Sequence, residues 1–327
     1  METEQNNRLE NFPISFFSVI MGFSGLTIAW EKAQSVWGVH IGITLPLVAI
    51  TSLVFIILLV LYGIKLIKHT PSVLKELAHP VKLSFFPSIS ISFLLLSTAY
   101  LGVNMSISQP LWIIGAALHL VFTLYVINTW MHHEHFQVNH INPAWFIPAV
   151  GNVLVPIAGV AHGYLDVSWF FFSIGILFWI LLMTIFFNRI LFHNPMDKHL
   201  LPTLFILIAP PAVGFIAYMK LNGEIDNFAR FLYFGALFLT LLLFSQANRF
   251  LKLPFFLSWW AYTFPLAAIT IASFLFYEKR QNDFYLWVAS GLLIVLTLVV
   301  AITVYKTLQA IRKHGICVPE VVHKPAK

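Results

Sequence analysis

The chain has 327 residues, 59% of them hydrophobic and only 10% charged, with a formal net charge of +6. A water-soluble domain needs far more charge to cover its surface, so that class is excluded and an integral membrane protein remains. The single cysteine, Cys317, lies near the C-terminus, which excludes an intrachain disulfide and a cysteine-based metal site.

The N-terminal stretch METEQNNRLENFP is polar and acidic, with no basic segment ahead of an apolar one; it is not expected to be a cleavable signal peptide, so the first apolar segment should stay in the mature protein. A bilayer-crossing helix needs roughly 20 mostly apolar residues. Ten such spans are predicted, near Ser15–Trp30, Ile41–Ile64, Leu83–Leu101, Leu111–Met131, Pro143–Gly163, Val167–Phe187, Pro202–Met219, Phe228–Ala247, Phe255–Phe276 and Phe284–Tyr305. The first is short unless Phe12 to Ile14 extend it. The expected organisation is a cytoplasmic tail over residues 1–14, an all-α transmembrane domain over 15–305 and a cytoplasmic tail over 306–327.

An even number of spans places both termini on one face. Fourteen of the nineteen Lys and Arg residues fall on that face; Lys32, Lys220, Arg230, Lys279 and Arg280 fall on the other. The positive-inside rule makes the first face cytoplasmic. The expected location is a cell membrane, multi-pass, with both termini inside (the inner membrane if the source is bacterial).

Four prolines, Pro87, Pro148, Pro210 and Pro265, sit in the middle of apolar stretches and are separated by 61, 62 and 55 residues. All four fall in odd-numbered spans. A proline in a helix interior removes a backbone hydrogen bond and bends the helix, so replacing Pro148 or Pro210 with Ala is expected to straighten it. Counting back 61 residues from Pro87 reaches position 26, where Gly22 and Gly25 offer a weaker form of the same loosening. The repeat unit is then a two-helix hairpin used five times in parallel. Such repeats relate by an axis along the membrane normal. They predict an inner ring of kinked helices, an outer ring of straighter ones and a central pore. Two-span repeats cannot invert, which favours a channel over a rocking transporter.

The odd spans contribute Ser15, Ser18, Ser24, Thr27, Ser84, Ser88, Ser90, Ser92, Asn152, Thr203, Ser258, Thr263, Thr270 and Ser273, and no Lys, Arg, Asp or Glu. Hydroxyls and an amide can solvate a weakly hydrated anion without trapping it, whereas cation and proton paths usually carry carboxylates. Ser88, Asn152 and Thr263 are the leading pore-lining candidates. The competing role for each hydroxyl is a bond to the carbonyl one turn back on its own helix. Phe264 precedes Pro265, midway along an uncharged stretch from Leu253 to Tyr277. A bent helix could turn its ring toward the axis; ordinary packing is the alternative in a chain with 32 phenylalanines.

The run His132-His133-Glu134-His135, followed by His140, has metal-ligand residue types without the spacing of a strong site, and reads as a solvated loop. His119 and His162 lie within or at the end of spans 4 and 5. A bis-histidine haem would need pairs on facing helices, so a membrane redox enzyme is the least favoured reading. No metal, cofactor, enzymatic activity or nucleic-acid partner is expected.

Four segments carry a family likeness: HPVKLSFFP from His79, NPAWFIPAVGN from Asn142, LPTLFILIAPPAVGFIAY from Leu201 and FFLSWWAYTFPLA from Phe255. Through them the chain resembles the tellurite-resistance/C4-dicarboxylate transporter family, which includes TehA and the plant slow anion channels, over about Pro13 to Tyr305. The resemblance implies ten helices in five hairpins with quasi-fivefold symmetry, a central anion pore in each protomer of a homotrimer, and an aromatic plug from the ninth helix. The matching residue is Phe264. The function so implied is a passive, gated channel for small monovalent anions such as chloride and nitrate. The alternative is a carrier or exporter of dicarboxylate, sulfite or tellurite-type anions.

Overall fold

A computed structural model describes residues 8–132 and 136–318. Its helices, in chain order, are α1 (Ser18–Trp37), α2 (Thr44–Lys68), α3 (Thr70–Ala78), α4 (Ser88–Tyr100), α5 (Met105–His132), α6 (Phe146–Val150), α7 (Val155–Gly159), α8 (Leu165–Phe192), α9 (Ala209–Asn222), α10 (Asn227–Phe244), α11 (Ala247–Phe250), α12 (Thr263–Arg280) and α13 (Asp283–Arg312). No strand occurs among the described residues. Counting the 3₁₀ turns that lead into α1, α4, α9 and α12, nine helical stretches among the described residues are long and apolar enough to cross a membrane. The remaining expected span is the shorter, interrupted segment Pro143–Gly159. The first stretch, Ile14–Trp37, is longer than its hydropathy suggested, and the last continues to Arg312.

The helices divide into two kinds. α2, α5, α8, α10 and α13 are single continuous helices with between 28% and 39% of their apolar windows buried. Their outward faces are large apolar side chains such as Leu53, Val121, Leu177, Phe238 and Ile294. No water-facing helix tolerates such a surface; hydrocarbon does. The stretches containing α1, α4, α9 and α12 are 61% to 78% buried. Pro143–Gly159 is buried throughout except for Trp145.

Each buried stretch touches two others: α1 packs against α4 and α12, α9 against α7 and α12, and α7 against α4. Each continuous helix covers two of them: α2 lies on α1 and α4, α5 on α4 and α7, α8 on α7 and α9, α10 on α9 and α12, and α13 on α12 and α1.

The prolines do not sit where the sequence suggested. Each buried stretch opens as a 3₁₀ turn before turning α-helical: Ile14–Phe17, Lys82–Phe85, Pro143–Trp145, Leu201–Ile208 and Leu257–Tyr262. The prolines mark four of these five junctions. Pro87 is the N-cap of α4, Pro210 is in the first two positions of α9, and Pro148 and Pro265 are third in α6 and α12. In a first turn the missing N–H has no helical partner to lose, and the fixed φ suits the helix. Thus no α-helical bond is broken, and the change of pitch makes the bend. The eight-residue run Leu201–Ile208 is long for 3₁₀ geometry. It survives because it lies against the equivalent turn Leu257–Tyr262 and against α10 and α12.

The Pro143–Gly159 segment shows how the interrupted backbone is satisfied. Thr123 Oγ1 on α5 donates to the Pro148 carbonyl at 2.8 Å, and Trp112 Nε1 donates to the Val155 carbonyl at 2.8 Å. Irregular backbone at membrane depth needs such partners. Pro148→Ala is therefore expected to keep the bend, since Thr123 still holds the carbonyl. If the chain conducts anions as the resemblance implies, current from the variant should stay within about twofold of the parent, well under the 1.4 kcal/mol that makes a tenfold change. Loss of current would show that the ring itself shapes the path.

Gly22 and Gly25 also have a different role from the one expected. In the first stretch the change of pitch occurs at Phe17–Ser18, well before either glycine. A methyl group at Gly22 would meet Thr263 Oγ1 and lie 2.9 Å from Trp260 Cε3; at Gly25 it would lie 2.7 Å from Ala267 Cβ. These glycines let α1 and α12 approach closely, the usual use of small residues between membrane helices.

Candidate functional site

The buried stretches enclose a cavity of about 1290 Å³. Its mouth carries His79, Lys82, Asn139, Asp197, Lys198 and His199. Serine and threonine follow: Ser15, Ser18, Thr203 and Ser258. Ser258 is fixed at the mouth by donating to the His199 carbonyl at 2.5 Å. Deeper still the wall is apolar, with Met21, Ile91, Phe146, Val150, Leu154 and Val213. Pro210 and Pro265 are part of the wall; Pro87 and Pro148 are not.

Phe264 lies at the inner end. It lines this cavity and also a second, much smaller one of about 30 Å³ on its other side. The small cavity takes residues from α1 (Gly25, Ile28), α4 (Leu95, Thr98), α7 (Ile157), α9 (Val213, Ile216) and α12 (Phe264, Ala268, Ile271), with Leu154 just ahead of α7. None of these is charged. Phe264 is 9% exposed, and its ring edge would lie 3.4 Å from a methyl group at Gly25. The same glycine that admits α12 thus leaves room for the ring.

The leading polar candidates lie elsewhere. Ser88, Asn152 and Thr263 are fully buried and do not line either cavity. Ser88 Oγ donates to the Phe85 carbonyl at 2.5 Å and Thr263 Oγ1 to the Trp260 carbonyl at 2.7 Å, each satisfying the turn before its own helix. Asn152 Nδ2 donates to Thr123 Oγ1 at 3.0 Å and to the Ala149 carbonyl at 2.7 Å, tying the interrupted span to α5. The sequence reading could not single out Ser15, Ser18, Thr203 and Ser258. The available signal was their position in or beside the 3₁₀ turns, ahead of the α-helical part.

The histidines are held by serines and backbone. His119 Nδ1 is 2.8 Å from Ser90 Oγ, and His162 Nε2 is 2.9 Å from Ser108 Oγ. His140 Nδ1 accepts from the Gln137 N–H at 3.1 Å. Partial burial pushes the His140 and His162 imidazoles below their ordinary pKa. The stretch His133-Glu134-His135 lies outside the described residues; His132 closes α5 with Nδ1 3.0 Å from the Asn128 carbonyl.

A buried ionic cluster, unforeseen in the sequence, fixes one wall of the mouth. Lys65 Nζ at the end of α2 lies 2.9 Å from Glu76 Oε2 on α3 and donates to the Phe12 carbonyl at 2.8 Å. Tyr62 Oη donates to Glu76 Oε2 at 2.9 Å. The residues after Phe12, namely Pro13, Ile14 and Ser15, line the cavity.

A stepped path with a polar mouth, an uncharged throat and an aromatic ring between two cavities suits an ion conduit. Comparison with known proteins agrees in class. The family model described as SLAC1, voltage-dependent anion channel, matches residues 11–308. The S-type anion channel SLAH2 of Arabidopsis thaliana is 30% identical, over 81% of this chain and 52% of its own length. The tellurite resistance protein TehA homolog of Haemophilus influenzae is 27% identical, over 90% of each chain. An uncharacterized transporter of Methanocaldococcus jannaschii is 28% identical, over 91% of this chain and 93% of its own. The chain belongs to the SLAC1 family of membrane anion channels and transporters.

Proposed function

We propose that the chain is a passive, gated channel for small monovalent anions, chloride and nitrate among them, with one path in each protomer closed by Phe264. One observation carries this reading. Phe264 is the one aromatic residue that lines both cavities, in a throat without a charged side chain. A phenyl ring there narrows the path and dewets it, and either effect stops ions. The alternation of buried and lipid-facing helices, and the cyclic order of their contacts, support five hairpins around a quasi-fivefold axis. With Pro143–Gly159 counted as the tenth crossing, both termini and the basic mouth face the cytoplasm by the positive-inside rule. A homotrimer with three separate paths follows from the resemblance to the family.

An uncharged throat presents a weak field, so the cost of shedding water decides which anion passes. Nitrate is expected to permeate better than chloride, with sulfate and dicarboxylates poor. Reversal potentials under anion substitution in planar bilayers measure this directly. The second reading is a carrier or exporter of larger anions, and the volume of the cavity behind the basic mouth favours it. A preference for sulfate or malate over nitrate, or flux tied to a counter-ion, would establish that reading and remove the first.

A further inference from the structure

We propose that Lys220 binds the permeating anion at the end of the path away from the cavity mouth. The proposal rests on the channel reading above and adds a site to it. Along the throat, lining residues follow the helical repeat: Gly25 and Ile28 on α1, Val213 and Ile216 on α9, Ala268 and Ile271 on α12. Residues three and four apart share one face of a helix. Four residues beyond Ile28 is Lys32; four beyond Ile216 is Lys220; seven beyond Ile271 is Glu278. Four residues beyond Thr98 is Gly102, where a methyl group would touch the Glu31 carboxylate. The same stripes that line the uncharged throat therefore lead into a set of charges.

The charges are not equivalent. Lys32 Nζ is paired with Glu278 Oε2 at 2.5 Å, and Lys279 Nζ donates to the Gly223 carbonyl at 2.8 Å. Lys220 has Glu31, Lys32, Glu278 and Lys279 as charged neighbours, yet no hydrogen bond or ion pair holds it among the described residues, and the residue is partly open to solvent. Three ammonium groups against two carboxylates leave one net positive charge. Lys220 is the ammonium left free to use its donors on a ligand, as a mobile point charge. Glu31 and Glu278 temper its field, so an anion is attracted but released, which conduction requires. The ligand class is a small monovalent inorganic anion.

The test uses the full chain in planar bilayers, in the Phe264→Ala background so that basal current is measurable, with chloride as the probe. Lys220→Gln should lower current carried by chloride entering from the Lys220 side by about threefold or more near 0.01 M salt, where the Debye length is ~30 Å. The loss should shrink below about 1.5-fold at 1 M, where that length is ~3 Å. Lys220→Arg should retain the current, and Lys279→Gln should change it little. An equal loss at both salt concentrations, or from both sides, would mark Lys220 as structural and overturn the site. An equal loss in Lys279→Gln would assign the effect to diffuse surface charge and also overturn it. In both cases the channel reading stands. Absence of any anion current in the Phe264→Ala parent would instead remove the channel reading, and the site with it.

Discussion

Phe264→Ala is expected to raise basal anion current per folded protein by about tenfold or more, the change produced by lowering a barrier by only ~1.4 kcal/mol. The ring lines both cavities, together with Leu154 and Val213, and its removal is expected to join them. The opposing expectation is definite. A phenylalanine that merely fills the core leaves a void on truncation, at a cost of roughly 3–5 kcal/mol, with less folded protein and no gain of current. Phe274→Ala on the same helix is the control. Phe274 is fully buried, stacks edge-on against Trp37 and lines neither cavity. Current should rise in the first variant alone, measured in proteoliposomes of matched protein content. Unchanged or lower current from well-folded Phe264→Ala would take this residue out of the gate.

Lys65→Met should be strongly destabilising. Its ammonium is almost wholly buried, with Glu76 and the Phe12 carbonyl as partners. Removing it leaves the Glu76 carboxylate buried beside Tyr62 with no countercharge. Breaking a buried pair from one side costs about 3–5 kcal/mol, whereas replacing both partners with apolar residues is often neutral. The double variant Lys65→Met/Glu76→Leu is therefore expected to recover most of the loss. Thermal unfolding in detergent should show a drop of roughly 5 °C or more in the single variant and a smaller one in the double. Because Phe12 leads directly into cavity-lining residues, the single variant should also expose the N-terminal segment to protease. Equal stability of single variant and parent would mean that water already screens the pair.

Much of the architecture was legible without coordinates. Bilayer hydrocarbon demands about 20 apolar residues per crossing, a local requirement written into each segment. The predicted spans match the observed helices to within a few residues at most ends, and the proline spacing marked which stretches were irregular. The likeness around Phe255 to Ala267 singled out Phe264, which lines both cavities. Wherever a property depended on one segment meeting its solvent, the sequence determined it.

Properties that depend on several segments meeting each other did not show. Ser15 and Ser88 are the same residue type in equivalent stretches, yet Ser15 lines the cavity and Ser88 bonds to its own turn. Gly22 and Gly25 read as points of weakness, but the surface of α12 makes them points of contact. The prolines gave the location of four of the five irregularities and not their form. Whether a proline interrupts an α-helix or begins one depends on whether a 3₁₀ turn precedes it, and packing against neighbouring helices stabilises those turns. Lys65 and Glu76 lie eleven positions apart between the second and third predicted spans, and only the fold of α3 back onto α2 buries them together. Hydropathy is a property of each residue in its solvent, so the chain alone determined what crosses the membrane. Orientation about a helix axis is settled by the side chains of the helices around it, so only the tertiary structure decided what faces the path.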